Sequence, residues 1–397
     1  MNEDRPPDVT CWEKFSIIIC LPLSIFGLVT DGIALYTYGV GGLWFYFGVM
    51  LFLAVVPNVM IQAFSISWQI ADDDHGNEDG CTRAIFKCVN LLLFGTIHKQ
   101  CLTIEACCQA AKTKERGDYE AYKQHRSDLC LLDLYKLFLK QAPQLVLQVY
   151  IMYDTKDWSF ITIGTPIICL IFLAKGVVDY DKDQRHRCPN RQPISWCGVL
   201  LHTLWRLGII TSRIGAMVLM AVVDDEWAIS YFGIHFVMTS IFAFTLTQQL
   251  VRKEVAPDMP LWQKCAHGIA MGAALTFSFF NIADSSSHPW MIIMYMYAAM
   301  QNAEAVAEFF REWQNTGRQH HGMIAMIIVG VAFIAGLLAM GIYNRLYKPV
   351  CTVSLFPSRV PMTREATSSQ LQVEDLLESV ERANHAGHNA NERSPLV

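Results

Sequence analysis

Residues 128–150 read DLCLLDLYKLFLKQAPQLVLQVY. The run is leucine-rich and long enough to cross hydrocarbon, which takes about 20 helical residues, yet Asp128, Asp133, Lys136 and Lys140 interrupt it. Spacings of three and four put Asp133, Lys136 and Lys140 on one helix face, where neighbouring charges pair. An ionised side chain at mid-bilayer costs about 2.5 to 3.5 kcal/mol unless it is paired or hydrated. A stretch that is both greasy and charged therefore predicts a crossing helix whose polar side turns towards other helices.

Working outward, apolar stretches of similar length recur at roughly 15–38, 43–70, 84–108, 128–152, 159–180, 196–223, 227–250, 265–282, 290–310 and 322–346. Composition agrees. The chain has 397 residues, of which 53% are hydrophobic and 17% charged, too little charge to cover a soluble surface of that size. A net charge of −5 leaves no basic excess for a phosphate backbone, so no nucleic acid is expected as a partner. Glu3, Asp4 and Asp8 near the N-terminus are the wrong chemistry for a cleaved signal peptide, which starts basic. Most of the 13 cysteines sit inside apolar runs (Cys20, Cys101, Cys107, Cys108, Cys130, Cys169, Cys197) and read as free, buried thiols.

Loop charge sets the topology, because cytoplasmic loops keep Lys and Arg. The basic loops 109–127, 181–195 and 251–264 go inside; those around Gly39–Gly42, Asp154–Asp157 and Asp224–Glu226 go outside. Parity then makes 84–108 enter and leave on one side, and 265–282, short and rich in Gly and Ala, does the same. The expected fold is an all-α polytopic membrane protein with eight transmembrane helices and two re-entrant helices in two pseudo-symmetric halves. Its expected parts are a cytoplasmic N-terminus (1–14), a first membrane half (15–180), a cytoplasmic linker (181–195), a second half (196–349) and a flexible cytoplasmic tail (350–397).

The ionisable residues inside these segments are the informative ones. Besides the four in 128–150 they are Asp31, Lys175 and Asp179, then His202, Arg206 and Arg213, and finally Glu304 and Glu308. The two arginines are seven apart and the two glutamates four apart, so each pair shares a face, and a structural clamp of Arg206 and Arg213 on Glu304 and Glu308 is expected. Asp31, Asp128, Asp133, Lys136, Lys140 and Asp179 are expected to line or gate a polar track. His235, alone on an apolar stretch, reads as a hydrogen-bonded core histidine. His320 and His321 lack further ligands at metal spacing, and the acidic run Asp72, Asp73, Asp74, Glu78 and Asp79 lacks EF-hand spacing, so no metal is expected. Trp12, Trp44, Trp68, Trp158, Trp227 and Trp290 lie near segment ends, as interfacial aromatics do. Nucleotide-binding, hydrolase and zinc-protease motifs are absent, and neither an enzyme nor a cofactor is expected.

The core Ala142, Pro143, Gln144 and Leu145, inside QAPQLVLQVY (141–150), resembles the signature helix of the XK-related membrane proteins. FSISWQIADDD (64–74), VVDYDKDQRHRCP (177–189), FSFFNIADSS (277–286) and GIYNRLYKP (341–349) agree with that family in order. The resemblance covers roughly 15 to 349 and implies eight crossings with two re-entrant segments. It also implies phospholipid scrambling that exposes phosphatidylserine, linked to apoptosis through a caspase that cuts the cytoplasmic tail, where Asp375 is the candidate site. This chain departs from the family's scramblases in two places. Asp133, Lys136 and Lys140 reverse the charge signs before the Pro-Gln pair, and Gly27 stands where the first of two aspartates would precede Asp31.

The expected function is thus a plasma-membrane phospholipid scramblase with both termini cytoplasmic and inhibited by its tail. A single-span accessory subunit or a homodimer is the expected protein partner. The alternative is a non-transporting scaffold that docks a lipid-transfer protein or accessory subunit.

Overall fold

A computed structural model describes residues 11–73, 95–156, 158–186, 194–252, 260–278, 288–316 and 320–347. The chain divides into Met1–Pro357 and Ser358–Val397, and the described residues all belong to the first unit. They are helical, with no strand among them. The helices are α1 (Cys11–Val40), α2 (Trp44–Asp73), α3 (Gly95–Thr113), α4 (Arg116–Lys136), a π segment (Leu137–Gln141), α5 (Ala142–Thr155), α6 (Phe160–His186), α7 (Trp196–Val223), α8 (Asp225–Arg252), α9 (Leu261–Phe277), α10 (His288–Thr316) and α11 (His320–Leu346).

Helix ends follow local chemistry. Gly42 has φ +70° between α1 and α2, a left-handed turn that glycine adopts without strain. Ser195 Oγ accepts from Gly198 N at the start of α7 (3.3 Å), and Asp224 Oδ1 accepts from Trp227 N at the start of α8 (2.9 Å), each capping an orphan amide. Pro143 has no N–H to give to the carbonyl four residues back. Just ahead of it, Ala142 N–H bonds instead to Leu137 O, a wider turn that accommodates the proline.

Among the described residues, six helices contain stretches long and apolar enough to cross a membrane: Ile17–Val40, Trp44–Trp68, Ile163–Asp183, Trp196–Val223, Asp225–Gln249 and Gly322–Leu346. The four other segments of the sequence reading are not among them. In two of these, α4–α5 and α10, charged residues dilute the apolar pattern. The other two, the described part of 84–108 (α3) and 265–282 (α9), are the ones expected not to cross.

Several loop expectations need correction. The basic stretch 109–127 is a helical hairpin, with only Lys114 and Glu115 between α3 and α4. Thr113 Oγ1 donates to Asp118 Oδ2 across that bend (2.6 Å), and Lys114 is left-handed at φ +55°. Likewise α6 runs on to His186, so Asp181 and Asp183 are helical.

Close helix approaches rest on small residues, as membrane packing requires. A Cβ on Gly208 of α7 would lie 2.6 Å from Ala332 O and 2.8 Å from Gly336 Cα of α11. On Gly272 of α9 it would lie 2.7 Å from Ser240 N of α8. The core gathers around α4 and the π segment, where Leu132, Tyr135 and Phe138 are fully buried against Phe64 of α2, Leu173 and Val177 of α6 and Met271 of α9. Trp68 is buried there too, beside Phe64, rather than interfacial as expected. Trp44, Trp158 and Trp227 are exposed, while the side chains of Trp12 and Trp290 lie outside the described residues. Of the seven cysteines expected to be buried, only Cys107 is; Cys101, Cys108 and Cys197 face outward, and Cys20, Cys130 and Cys169 are half-buried.

Candidate functional site

The polar side of α4, the π segment and α5 faces α1, α3 and α6, and Lys140 and Asp128 find their counter-charges on other helices. The π turn brings Lys140, 3% exposed, into an ion pair with Asp31 of α1, and Gln144 Nε2 donates to Asp31 Oδ1 at 3.3 Å. One turn back, Lys136 Nζ lies 3.4 Å from Ser24 Oγ, which also accepts from Gln100 Nε2 of α3 at 2.8 Å. Asp133 lies within electrostatic reach of Lys136, Lys175 and Asp179; the latter two are themselves paired. Cys20 of α1 shares that neighbourhood. Towards the start of α4, Lys99 Nζ meets Asp128 Oδ2 at 3.0 Å with both side chains buried, and Arg126 Nε comes to 4.0 Å of Asp183 Oδ1 on α6.

From Arg126 to Gln144 this seam extends about 25 Å at 1.5 Å per helical residue, close to the about 30 Å of a hydrocarbon core. Asp31, Asp133, Lys136, Lys140 and Asp179 therefore share one seam, and Asp128 pairs beside it. Five carboxylates (Asp31, Asp128, Asp133, Asp179, Asp183) face five bases (Lys99, Arg126, Lys136, Lys140, Lys175). Charge balance is what keeps such a row tolerable in a low-dielectric interior.

The expected clamp between arginines and glutamates does not form. Arg206 Nη2 binds Asp181 Oδ2 of α6 at 2.7 Å and its Nη1 donates to Ser278 Oγ at 3.1 Å. Its guanidinium carbon stands 4.3 Å from the centre of the Trp205 ring. His202 Nε2 lies 3.0 Å from the same Asp181 oxygen, with its ring stacked on Tyr343. Arg213, 1% exposed, binds neutral groups: Thr276 O (3.1 Å), Asn302 Oδ1 (3.1 Å) and Gln301 Oε1 (2.8 Å), with His235 Nδ1 at 3.1 Å. His235 also meets Gln301 Oε1 at 2.7 Å, as a core histidine should. Glu304 accepts instead from the Tyr231 hydroxyl, and Glu308 pairs with Arg311 on its own helix at 2.8 Å. The physical reason is orientation: Gln301 and Asn302 occupy the buried face of α10, which turns Glu304 outward.

Helix α9 ties the two arginines to the seam. Its C-terminal end receives both of them, through Thr276 O and Ser278 Oγ. Its flank reaches the N-terminal helices through Gln263 to Ser67, His267 to Tyr135 and Phe277 against Phe138 of the π segment, ring centres 6.1 Å apart. The reading from charges overlooked Ser24, Gln100, Gln301 and Asn302; the signal available was uncharged polar residues inside apolar runs. Among the described residues no group of three metal-ligating side chains gathers. The side chains of Asp72, Asp73, His320 and His321 lie outside the described residues, as do Asp74, Glu78, Asp79 and Asp375 entirely.

Apolar helices of spanning length around an interior row of paired charges define a multi-pass helical membrane protein. The chain belongs to the XK-related family, whose model, described as XK-related protein, matches residues 15–349. Similar relatives include the "XK-related protein 8" of Tetraodon nigroviridis, 24% identical over 331 residues, 81% of this chain and 79% of that one. The protein of the same name from Gasterosteus aculeatus is 25% identical over 320 residues, 77% and 76% of the two chains.

Proposed function

We propose that this chain is a passive phospholipid scramblase of the plasma membrane that brings phosphatidylserine to the outer leaflet, with α3 and α9 as re-entrant helices among eight crossings. The observation that carries this reading is the charge-balanced seam from Arg126 and Asp183 to Asp31, Lys140 and Gln144. A headgroup moving along such a row exchanges hydration for fixed polar partners while its acyl tails stay in hydrocarbon, and no energy source is needed. Asp31, Asp128, Asp133, Lys136, Lys140 and Asp179 line or gate the route. Both termini are cytoplasmic, and the tail restrains activity until a caspase cuts after Asp375, which ties exposure to apoptosis. A single-span subunit or a second copy completes the assembly.

Reconstitution into liposomes with acyl-labelled fluorescent lipid and external dithionite tests this. Full-length protein and a form ending at Pro357, the boundary of the first unit, are compared. Bleaching beyond the outer-leaflet half, greater for the shorter form, is expected. Bleaching that stops at half for both forms would overturn the reading and leave the non-transporting scaffold.

A further inference from the structure

Resting on that reading, we infer that Arg213 determines headgroup specificity: it is a fixed cation, additional to the balanced seam, that favours net-anionic over zwitterionic phospholipids. The argument starts from a charge count. Among the described residues the five bases and five carboxylates of the seam cancel, and Arg206 is matched by Asp181. Arg213 is fully buried, and the partners named above are two side-chain amides, one main-chain carbonyl and one imidazole. Other groups in electrostatic reach among the described residues are the hydroxyls of Tyr231 and Tyr297; Glu304, which holds the Tyr231 hydroxyl, is exposed.

A guanidinium does not shed its proton in a protein, so its positive charge persists. Thr276 O lies in the last turn of α9, whose C-terminus carries roughly −0.5 of an elementary charge. That offsets part of the cation and leaves the rest. The remainder acts at the seam because α9 places it there: Thr276 precedes Phe277, whose ring packs on Phe138, two residues before Lys140. At a separation on the order of 10 to 15 Å and an effective dielectric of about 20, such a field is still worth about 1 kcal/mol per unit charge. Phosphatidylserine, with net charge −1, is drawn to it; phosphatidylcholine, with net charge 0, is not. Three hydrogen bonds, to Thr276 O, Asn302 Oδ1 and Gln301 Oε1, fix the guanidinium, so it stays in place as headgroups pass.

The test is the ratio of phosphatidylserine to phosphatidylcholine flip rates, measured with acyl-labelled lipids in one vesicle composition, for full-length protein and for the form ending at Pro357. A merely structural role would change both rates together. R213Q is expected to lower the ratio about three- to tenfold, the Coulomb effect of half to one charge at that distance, while R213K keeps the wild-type ratio. N302D is the second variant, should R213Q fail to fold. It is nearly isosteric, keeps the 3.1 Å contact to Arg213 and adds the missing carboxylate, so the ratio should fall as in R213Q. An unchanged ratio in a folded, active R213Q or N302D overturns the inference. Absence of lipid transfer in both the full-length wild type and the form ending at Pro357 overturns the underlying reading instead, so the two failures are distinguishable.

Discussion

The N-terminal helices α1 to α6 hold their buried cations with carboxylates, whereas α7 to α11 hold Arg213 with amides, a main-chain carbonyl and an imidazole. The contrast separates two uses of intramembrane charge. In the seam the charges balance, some across helices (Lys140 with Asp31, Lys99 with Asp128) and some along one (Lys175 with Asp179), which orders α1, α3, α4 and α6 about one another without leaving a net field. Around Arg213 the desolvation cost is met by dipoles, which satisfy the hydrogen bonds but do not remove the charge. The first arrangement builds a polar row; the second biases what the row attracts.

Breaking the ionic side should have the largest effect. Lys140→Met leaves Asp31 inside the bundle without its cation, an effect of about 3 to 5 kcal/mol for a buried pair that loses one partner. The double variant Asp31→Asn, Lys140→Met should recover much of it; thermal unfolding in detergent, followed by size-exclusion, measures both. Next comes the packing that aligns α9 with the arginines. Gly272→Ala drives a methyl against the backbone of Ser240 and is expected to lower stability by about 1 to 3 kcal/mol, the usual range for overpacking, in the same assay. Smallest is Glu308→Gln, since its partner Arg311 lies on the same exposed helix surface; a change within about 0.5 kcal/mol is expected. A loss of several kcal/mol there would revive the clamp between α7 and α10 and erase the contrast between the two regions.

Much of the seam was legible in the sequence because charged residues in apolar runs announce themselves. Asp31, Asp133, Lys136, Lys140 and Asp179 were singled out as members of one polar neighbourhood, and they share one. Their partners were not legible. Spacing along a helix reveals which residues share a face, but not which distant helix that face meets, so Lys140 was placed on one face with Asp133 and Lys136 and its pairing with Asp31 was not foreseen. The same limitation produced the error at Arg213. Glu304 and Glu308 share a face, but Gln301 and Asn302 share the buried one, and uncharged amides attract less notice than glutamates. The π turn was hidden for a different reason: it arises from a missing N–H at Pro143, and hydrophobic periodicity does not register a lost donor.

The central claim, that the seam admits water and headgroups, is tested most directly at Cys20, which lies among Asp133, Lys136, Lys175 and Asp179. With every other cysteine replaced, a charged methanethiosulfonate reagent added to proteoliposomes should modify Cys20 and slow lipid transfer. A parallel chain retaining only the exposed Cys265 provides the reference for full reactivity. Cys20 that stays unmodified while Cys265 reacts would contradict the account, because a seam closed to a small charged reagent does not carry headgroups.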